Sequence, residues 1–410
     1  MNQLLIIGFV WPEPKSSAAG SRMMQLINTF QSLNYNITFA SPCEKKDQAV
    51  DLNTLGIDTV SIEVNSSSFD DFVTELKPNA VLFDRFMIEE QFGWRVSENC
   101  PNTLRILDTE DLHGLRKGRQ LAFKDQKTFD KNYLLNDTFK RELASIYRSD
   151  LTLIISEFEM ELLTNELKVD QSLLAYLPFM EDRIGDEVIN KLPKFNERQH
   201  FVTVGNFLHE PNYQAVLYLK KTIWPLIRKQ LPKAEMHVYG AYTSQKVLQL
   251  HNEREGFIIK GFADDVDRVM QQAKVCLAPI QFGAGLKGKL IDAMKNGTPC
   301  VMSSIAAEGM FGDLEPNGCI TEDPTEFAKQ AVTLYTDESL WKGKQQNGFK
   351  VLNTRFEKET HKREFINQLQ HLQDNLQNHR LNNSIGQMLQ HQTLQSTKYM
   401  SKWIEEKNKS

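Results

Sequence analysis

The sequence predicts an α/β protein made of two consecutive halves, each a doubly wound parallel sheet, followed by a helical C-terminal extension. Short apolar runs alternate with helical stretches along most of the chain, as parallel α/β units require. The alternation stops in a polar segment near the middle and then resumes. A length of 410 residues is enough for two cores of ordinary domain size.

In the first half, strands are expected at Leu4–Phe9, Asn36–Ala40, Asp58–Val64, Ala80–Phe83, Thr103–Leu107 and Leu151–Ile155. Between the first two, Met24, Leu26, Ile27, Phe30 and Leu33 recur at near-helical spacing and supply a crossover helix. The run Leu4–Trp11 has no basic segment before it, is too short to span a bilayer and leads into Pro12. It reads as a buried strand, which places the chain in the cytoplasm with any membrane contact peripheral. From Glu181 to Gln199 the sequence is polar and mixed in charge, an interdomain linker. A second series follows at His200–Val204, Glu235–Tyr239, Phe257–Lys260, Lys274–Pro279, Cys300–Met302 and Cys319–Thr321. The implied domains are 1–185, 195–356 and a helical extension, 357–410. In the extension Phe365, Leu369, Leu372 and Leu376 form one apolar stripe suited to packing on the body. Tyr399, Trp403 and Ile404 suggest that its end docks as well.

Composition removes several classes of function. A formal net charge of -5 does not suit bulk nucleic-acid binding, which needs a strongly basic face. Cys43, Cys100, Cys276, Cys300 and Cys319 are scattered without a C-x-x-C pair and read as reduced thiols. The histidines form no H-x-x-x-H pair, so no metal site is expected.

The richest segment is Pro279-Ile-Gln-Phe-Gly-Ala-Gly-Leu-Lys-Gly-Lys-Leu-Ile-Asp-Ala-Met-Lys-Asn-Gly-Thr-Pro299. A strand ends in a loop carrying Gly283 and Gly285, and a helix is expected to start near Leu286. Glycines let backbone approach a ligand closely, and a helix start offers unpaired N–H groups and a positive dipole end. Lys287 and Lys289 add charge at the same end, which suits a diphosphate, and Asp292 can accept hydrogen bonds from ribose or sugar hydroxyls. The same pieces also fit a plain strand–turn–helix crossover with solvated lysines.

This segment resembles the donor-binding signature of GT-B glycosyltransferases, above all the GT4-like group. The matching pieces are Phe282–Gly285, Leu290–Met294, Gly297–Val301 and Glu308-Gly309. Val204–Asn212, which contains Gly205 and Asn206, is similar to the strand and loop that open the donor domain, and Gly261–Val266 to the loop beside the nucleotide base. The likeness is collinear over roughly residues 200–330. It implies a metal-independent, retaining transfer of a hexose from a UDP- or GDP-sugar to a hydroxyl on a glycan, a lipid-linked glycan or a small molecule. The nucleotide sugar is substrate, and no cofactor is implied. Retaining members carry two glutamates eight positions apart, where this chain has Ala284 and Asp292. That departure keeps open a catalytically eroded nucleotide-sugar-binding subunit, or an epimerase on the same fold.

In the first half, Trp11-Pro-Glu-Pro-Lys-Ser-Ser-Ala-Ala-Gly-Ser-Arg22 is a small-residue loop before a helix. The resemblance implies that it closes over donor phosphates, with Gly20 permitting close approach and Arg22 supplying charge. Leu107-Asp-Thr-Glu-Asp-Leu-His113 places a polar cluster at a strand end, where open α/β sheets bind ligands. There His113 is expected to hydrogen-bond the transferred sugar, and Asp108 or Asp111 to orient the acceptor. A capped helix start is the alternative. Asp84-Arg85 points to the same edge, and Ser156-x-x-Glu159 reads as a helix cap that supports the site from behind. Arg116–Lys127 and Lys220–Lys233 read as solvated basic faces, with anionic lipid contact the alternative.

Overall fold

The computed structural model describes residues 2–409, apart from the side chains of residues 392–395. The first sheet holds β1 (Asn2–Ile7), β2 (Tyr35–Ser41), β3 (Asp58–Ser61), β4 (Ala80–Asp84), β5 (Leu104–Asp108), β6 (Leu151–Ile154) and β7 (Leu174–Tyr176). Their order is β3-β2-β1-β4-β5-β6-β7, with every pairing parallel. The second sheet holds β8 (Gln199–Val204), β9 (Met236–Tyr239), β10 (Phe257–Gly261), β11 (Ala273–Ala278), β12 (Cys300–Met302) and β13 (Gly318–Ile320). It is parallel throughout in the order β10-β9-β8-β11-β12-β13.

Helices cover both faces of each sheet, so the central strands are apolar at consecutive positions rather than alternate ones. Leu4, Leu5, Ile6 and Ile7 are all fully buried, as are Cys276, Leu277 and Ala278. All five cysteines are free. Strand β7 escapes the sequence pattern because Leu174-Ala-Tyr is too short for a period to register. Both sheets reverse their winding direction once, between β1 and β4 and between β8 and β11. The carboxyl ends of those four strands are the places where such sheets bind ligands.

The chain passes between the halves twice at one point. The Glu181 N–H donates to the Phe356 carbonyl at 2.7 Å, and the Lys358 N–H to the Glu181 carbonyl at 2.9 Å. After the second passage the helix Lys358–Asp374 returns to the first half. There Phe365, Leu369 and Leu372 are buried with Leu4, Ile6, Leu26 and Phe30. The last helix, Ser384–Lys409, runs along the same half, where the Gln390 side chain donates to the Arg148 carbonyl. Its two aromatic rings do not dock, although Ile404 beside them is half-buried. Tyr399 and Trp403 are 64% and 59% exposed, and the contact is made by polar pairs such as Ser401 with Asn65.

One predicted cleft charge belongs to the core. Arg22 is buried and its guanidinium pairs with Asp108 at 2.8 Å while donating to the Leu177 carbonyl at 2.6 Å. This ties the first crossover helix to β5 and to the chain beyond β7. Neither Arg22 nor Asp108 lines the cleft, because each satisfies the other away from water. Arg22→Met is expected to cost about 3–5 kcal/mol, since it leaves a buried carboxylate unpaired. Urea unfolding measures this, and Asp108→Asn in the same chain should recover part of it.

Candidate active site

The carboxyl ends of the two sheets face each other across a cleft of about 1030 Å³. The first half lines it with the loop after β1, with Arg85 after β4, and with Glu110, Asp111 and His113 after β5. The second half contributes Gly205, Asn206, His209 and Asn212 after β8, and Gly283, Lys287, Lys289 and Asp292 after β11. Topology explains the meeting: these loops leave the switch points of both sheets.

The helix after β11 runs Gly288–Lys295, two residues later than the sequence suggested, with Lys287 as its extended N-cap. Leu286 is 8% exposed and belongs to the loop, held in the apolar cluster beneath it. No side chain caps this helix. The Lys287 ammonium turns back onto its own loop, donating to the carbonyls of Ala284 at 2.9 Å and Gly285 at 2.6 Å. Lys289 donates to the Asn212 side-chain oxygen at 2.9 Å. Burial lowers both lysines to about 8, against the pull of neighbouring acids. Near pH 7 both still carry most of their charge. Burial, reinforced by Asp267 and Glu181, pushes Asp292 up to about 7.

Across the cleft, His113 opens the helix His113–Lys124. Glu142 accepts its N–H at 2.8 Å and that of Gly114 at 2.9 Å, so a carboxylate from another helix fixes this start. The His113 Nε2 lies 3.3 Å from an Asp111 oxygen, and Arg116 grips the same carboxylate. Burial holds His113 down to about 3 despite Asp111, so the ring is neutral near pH 7. Asp111 is raised by burial, but Arg116, His113 and His209 outweigh that and hold it down to about 2. The pair therefore offers a neutral imidazole beside a permanent anion.

Several expected contacts are spent elsewhere. Glu308 takes both Arg119 guanidinium nitrogens at 2.7 Å, an ion pair between the halves that turns it away from the cleft. The stretch beginning at Arg116 is thus no solvated face at Arg116 and Arg119. Gly285 has φ 63, and a Cβ there would stand 2.7 Å from that of Asp111, so it serves packing between the halves. Gly20 does line the cleft, but its missing side chain makes room for the Glu13 backbone. At Gly205 a Cβ would meet Asn212. Asn206 donates to the Ser16 carbonyl at 3.3 Å, again across the cleft. Ser156 makes no capping bond. Glu159 instead accepts N–H bonds from Leu112 at 3.0 Å and Gly285 at 2.8 Å, joining the halves through one oxygen.

Sequence spacing gave no sign of Glu142 or Arg119 in these roles, because their partners lie far away in the chain; Glu159 was legible as a supporting residue, but its bonds to Leu112 and Gly285 were not. Arg85 carries backbone strain that only coordinates reveal. Its φ of 73 and ψ of 156 occupy a region that is almost exclusively glycine's.

Comparison with known proteins identifies the fold. Residues 198–337 match the family model for glycosyl transferases group 1. Over 90% of this chain and 98% of its own length, TarM superposes with a TM-score of 0.69 at 10% identity. HepE from Anabaena, solved with UDP-glucose, gives 0.67 at 12% identity over 91% of this chain and 100% of its own. Sucrose-phosphate synthase from Thermosynechococcus elongatus gives 0.66 at 15% identity, covering 91% and 99%. The chain has the GT-B fold, and its match to the glycosyl transferases group 1 model lies within the second domain. A 44.6 kDa protein of the cps region in Klebsiella pneumoniae is 22% identical over 291 residues, 67% of this chain and 71% of that one.

Within this GT-B frame Ala284 is 7% exposed and packs in the apolar cluster that holds Leu107 and Leu112. A carboxylate has no counterpart there.

Glu159 makes a test of how the domains are joined. Burial and Asp111 raise it to about 7, and its second oxygen is buried without a partner, a natural seat for a proton. An acid whose folded pKa lies above its unfolded value stabilises the fold at low pH and loses that contribution as pH rises toward the folded pKa. The stability difference between wild type and Glu159→Gln should therefore fall from about pH 4.5 to about pH 7. Denaturant titrations across that range check it, and a flat difference would contradict the assignment.

Proposed function

We propose that the chain transfers a hexose from a UDP- or GDP-sugar to a hydroxyl acceptor on a glycan, a lipid-linked glycan or a small molecule. One observation carries this: Lys287 and Lys289 meet the uncapped start of the helix Gly288–Lys295 on the floor of a cleft between two facing sheet edges. Two ammonium groups and a helix N-terminus suit a diphosphate. In this proposal Gly283 and Gly205 let backbone come close to the donor, and Asp292 takes a hydroxyl pair of the ribose. Neutral His113 hydrogen-bonds the sugar without adding charge.

The bond from the anomeric carbon to the diphosphate oxygen breaks with its electron pair leaving on the diphosphate. The two lysines hold the charge that develops there. The acceptor oxygen bonds to the anomeric carbon on the face the diphosphate leaves, which retains configuration, and its proton passes to the departing diphosphate. Asp111, kept anionic by Arg116, orients the acceptor. Charge stabilisation by lysines makes the step independent of a divalent ion. No helix among the described residues is long and apolar enough to cross a membrane. A cytoplasmic place, at most peripheral to the inner face of the membrane, completes the proposal.

Ala284 favours a second reading, a subunit that binds a nucleotide sugar without transferring it, since no carboxylate faces the sugar from that position. Incubation with a panel of nucleotide sugars and mixed acceptors separates the two. Nucleoside diphosphate release that persists in EDTA is expected for the transferase, whereas thermal stabilisation without release supports the binding subunit. Dependence on a divalent ion would overturn the metal-independent step.

Lys289→Ala should weaken nucleotide diphosphate binding by about tenfold or more, the worth of one hydrogen bond to a charged group. Wild-type affinity should decline as pH rises through about 8, where both lysines lose their protons. Calorimetric titration at several pH values measures both effects.

A further inference from the structure

The opposite edge of the second sheet carries a different cluster. His200 stands at the start of β8, just after the polar segment that enters this half, and His237 at the start of β9 with Glu235 immediately before that strand. One oxygen of Glu235 lies 2.7 Å from His237 Nε2 and 3.7 Å from His200 Nδ1. The two imidazoles stack with centroids 4.1 Å apart at 27°. Their ligand atoms all fall within 4.8 Å of one another. His200 takes φ 62, a conformation that non-glycine residues adopt sparingly, and the ring so placed faces its neighbour.

We propose that His200, Glu235 and His237 form a binding site for a zinc-like divalent cation, separate from the cleft. Zinc–ligand bonds of about 2.0–2.1 Å in a tetrahedron place ligand atoms about 3.3 Å apart. The two measured separations from Glu235 bracket that value, and the third, between the imidazole nitrogens, is no more than 4.8 Å. Two imidazole nitrogens and a carboxylate oxygen match borderline ions such as Zn2+, Co2+ and Ni2+, and the hard ions Mg2+ and Ca2+ poorly. Glu235 and His200 are 41% and 32% exposed, which gives an ion a path in and leaves its fourth position to water. Lys260 acts on both rings and opposes a cation, while the Glu235 carboxylate offsets it. The ion would pin the amino ends of β8 and β9 where the chain enters the second domain. The rule of H-x-x-x-H spacing missed this site because its ligands come from adjacent strands.

The test uses the full chain after chelator stripping and dialysis. Zn2+ is titrated in competition with a chromophoric chelator, and Co2+ absorption in the visible reports the ligand geometry. About one equivalent should bind with a tetrahedral Co2+ spectrum and raise the melting temperature. His237→Ala and Glu235→Gln should each weaken uptake by at least about tenfold, the loss that removal of even an outer partner can cause. Circular dichroism confirms that each variant is folded, and His200→Gln provides a third variant should one fail. His251→Ala, on a separate surface pair with Glu253, should leave uptake unchanged. Absence of uptake, equal uptake by the ligand variants, or loss of uptake only in His113→Ala would overturn the site.

Discussion

The domain arrangement depends on side-chain hydrogen bonds and ion pairs that cross between two facing sheet edges. Glu159 receives one N–H from each half, and Arg119 spans to Glu308 with a further bond to the Gly283 carbonyl at 2.8 Å. Arg355 reaches Glu157 across the same seam at 2.7 Å. Polar clamps of this kind are directional, whereas apolar burial is not. They specify one relative placement of the domains, and that placement sets the width of the cleft.

Close approach makes the clamps possible, and glycine makes the approach possible. A Cβ at Gly288 would come within 2.7 Å of the one on Ala18, and at Gly309 within 2.5 Å of the Ser156 hydroxyl oxygen. Several glycines of the donor signature thus serve contact between domains. The same exclusion of water moves the site's protonation. His113 becomes neutral, Lys287 and Lys289 fall to about 8, and Glu159 and Asp292 rise to about 7. Desolvation disfavours whichever form carries charge, so acids and bases move toward one another. Asp111 escapes because Arg116 holds it.

Residues 274–299 show how far a local signal reaches. A strand, a glycine loop and a helix follow from composition and spacing alone, and the coordinates shift the helix start only from Leu286 to Gly288. The lysines were legible because their position relative to the helix start is a property of consecutive residues. Glu308 was misplaced for the converse reason. Its partner Arg119 is 189 residues away, and nothing in either neighbourhood announces the pairing. Arg22 and Asp108 form a similar case: two charged residues beside a cleft in sequence terms, withdrawn from it by each other.

By itself the sequence determined the alternation of strand and helix, the division into two sheets and the glycine turn with its two lysines after β11. All of these rest on periodicity and on residues adjacent in the chain. Only the tertiary structure decided which charges face the cleft, which lock the domains together, and that His200, Glu235 and His237 share one corner. Burial and partner choice depend on segments distant in sequence, and these are what fix a charge's protonation and its availability.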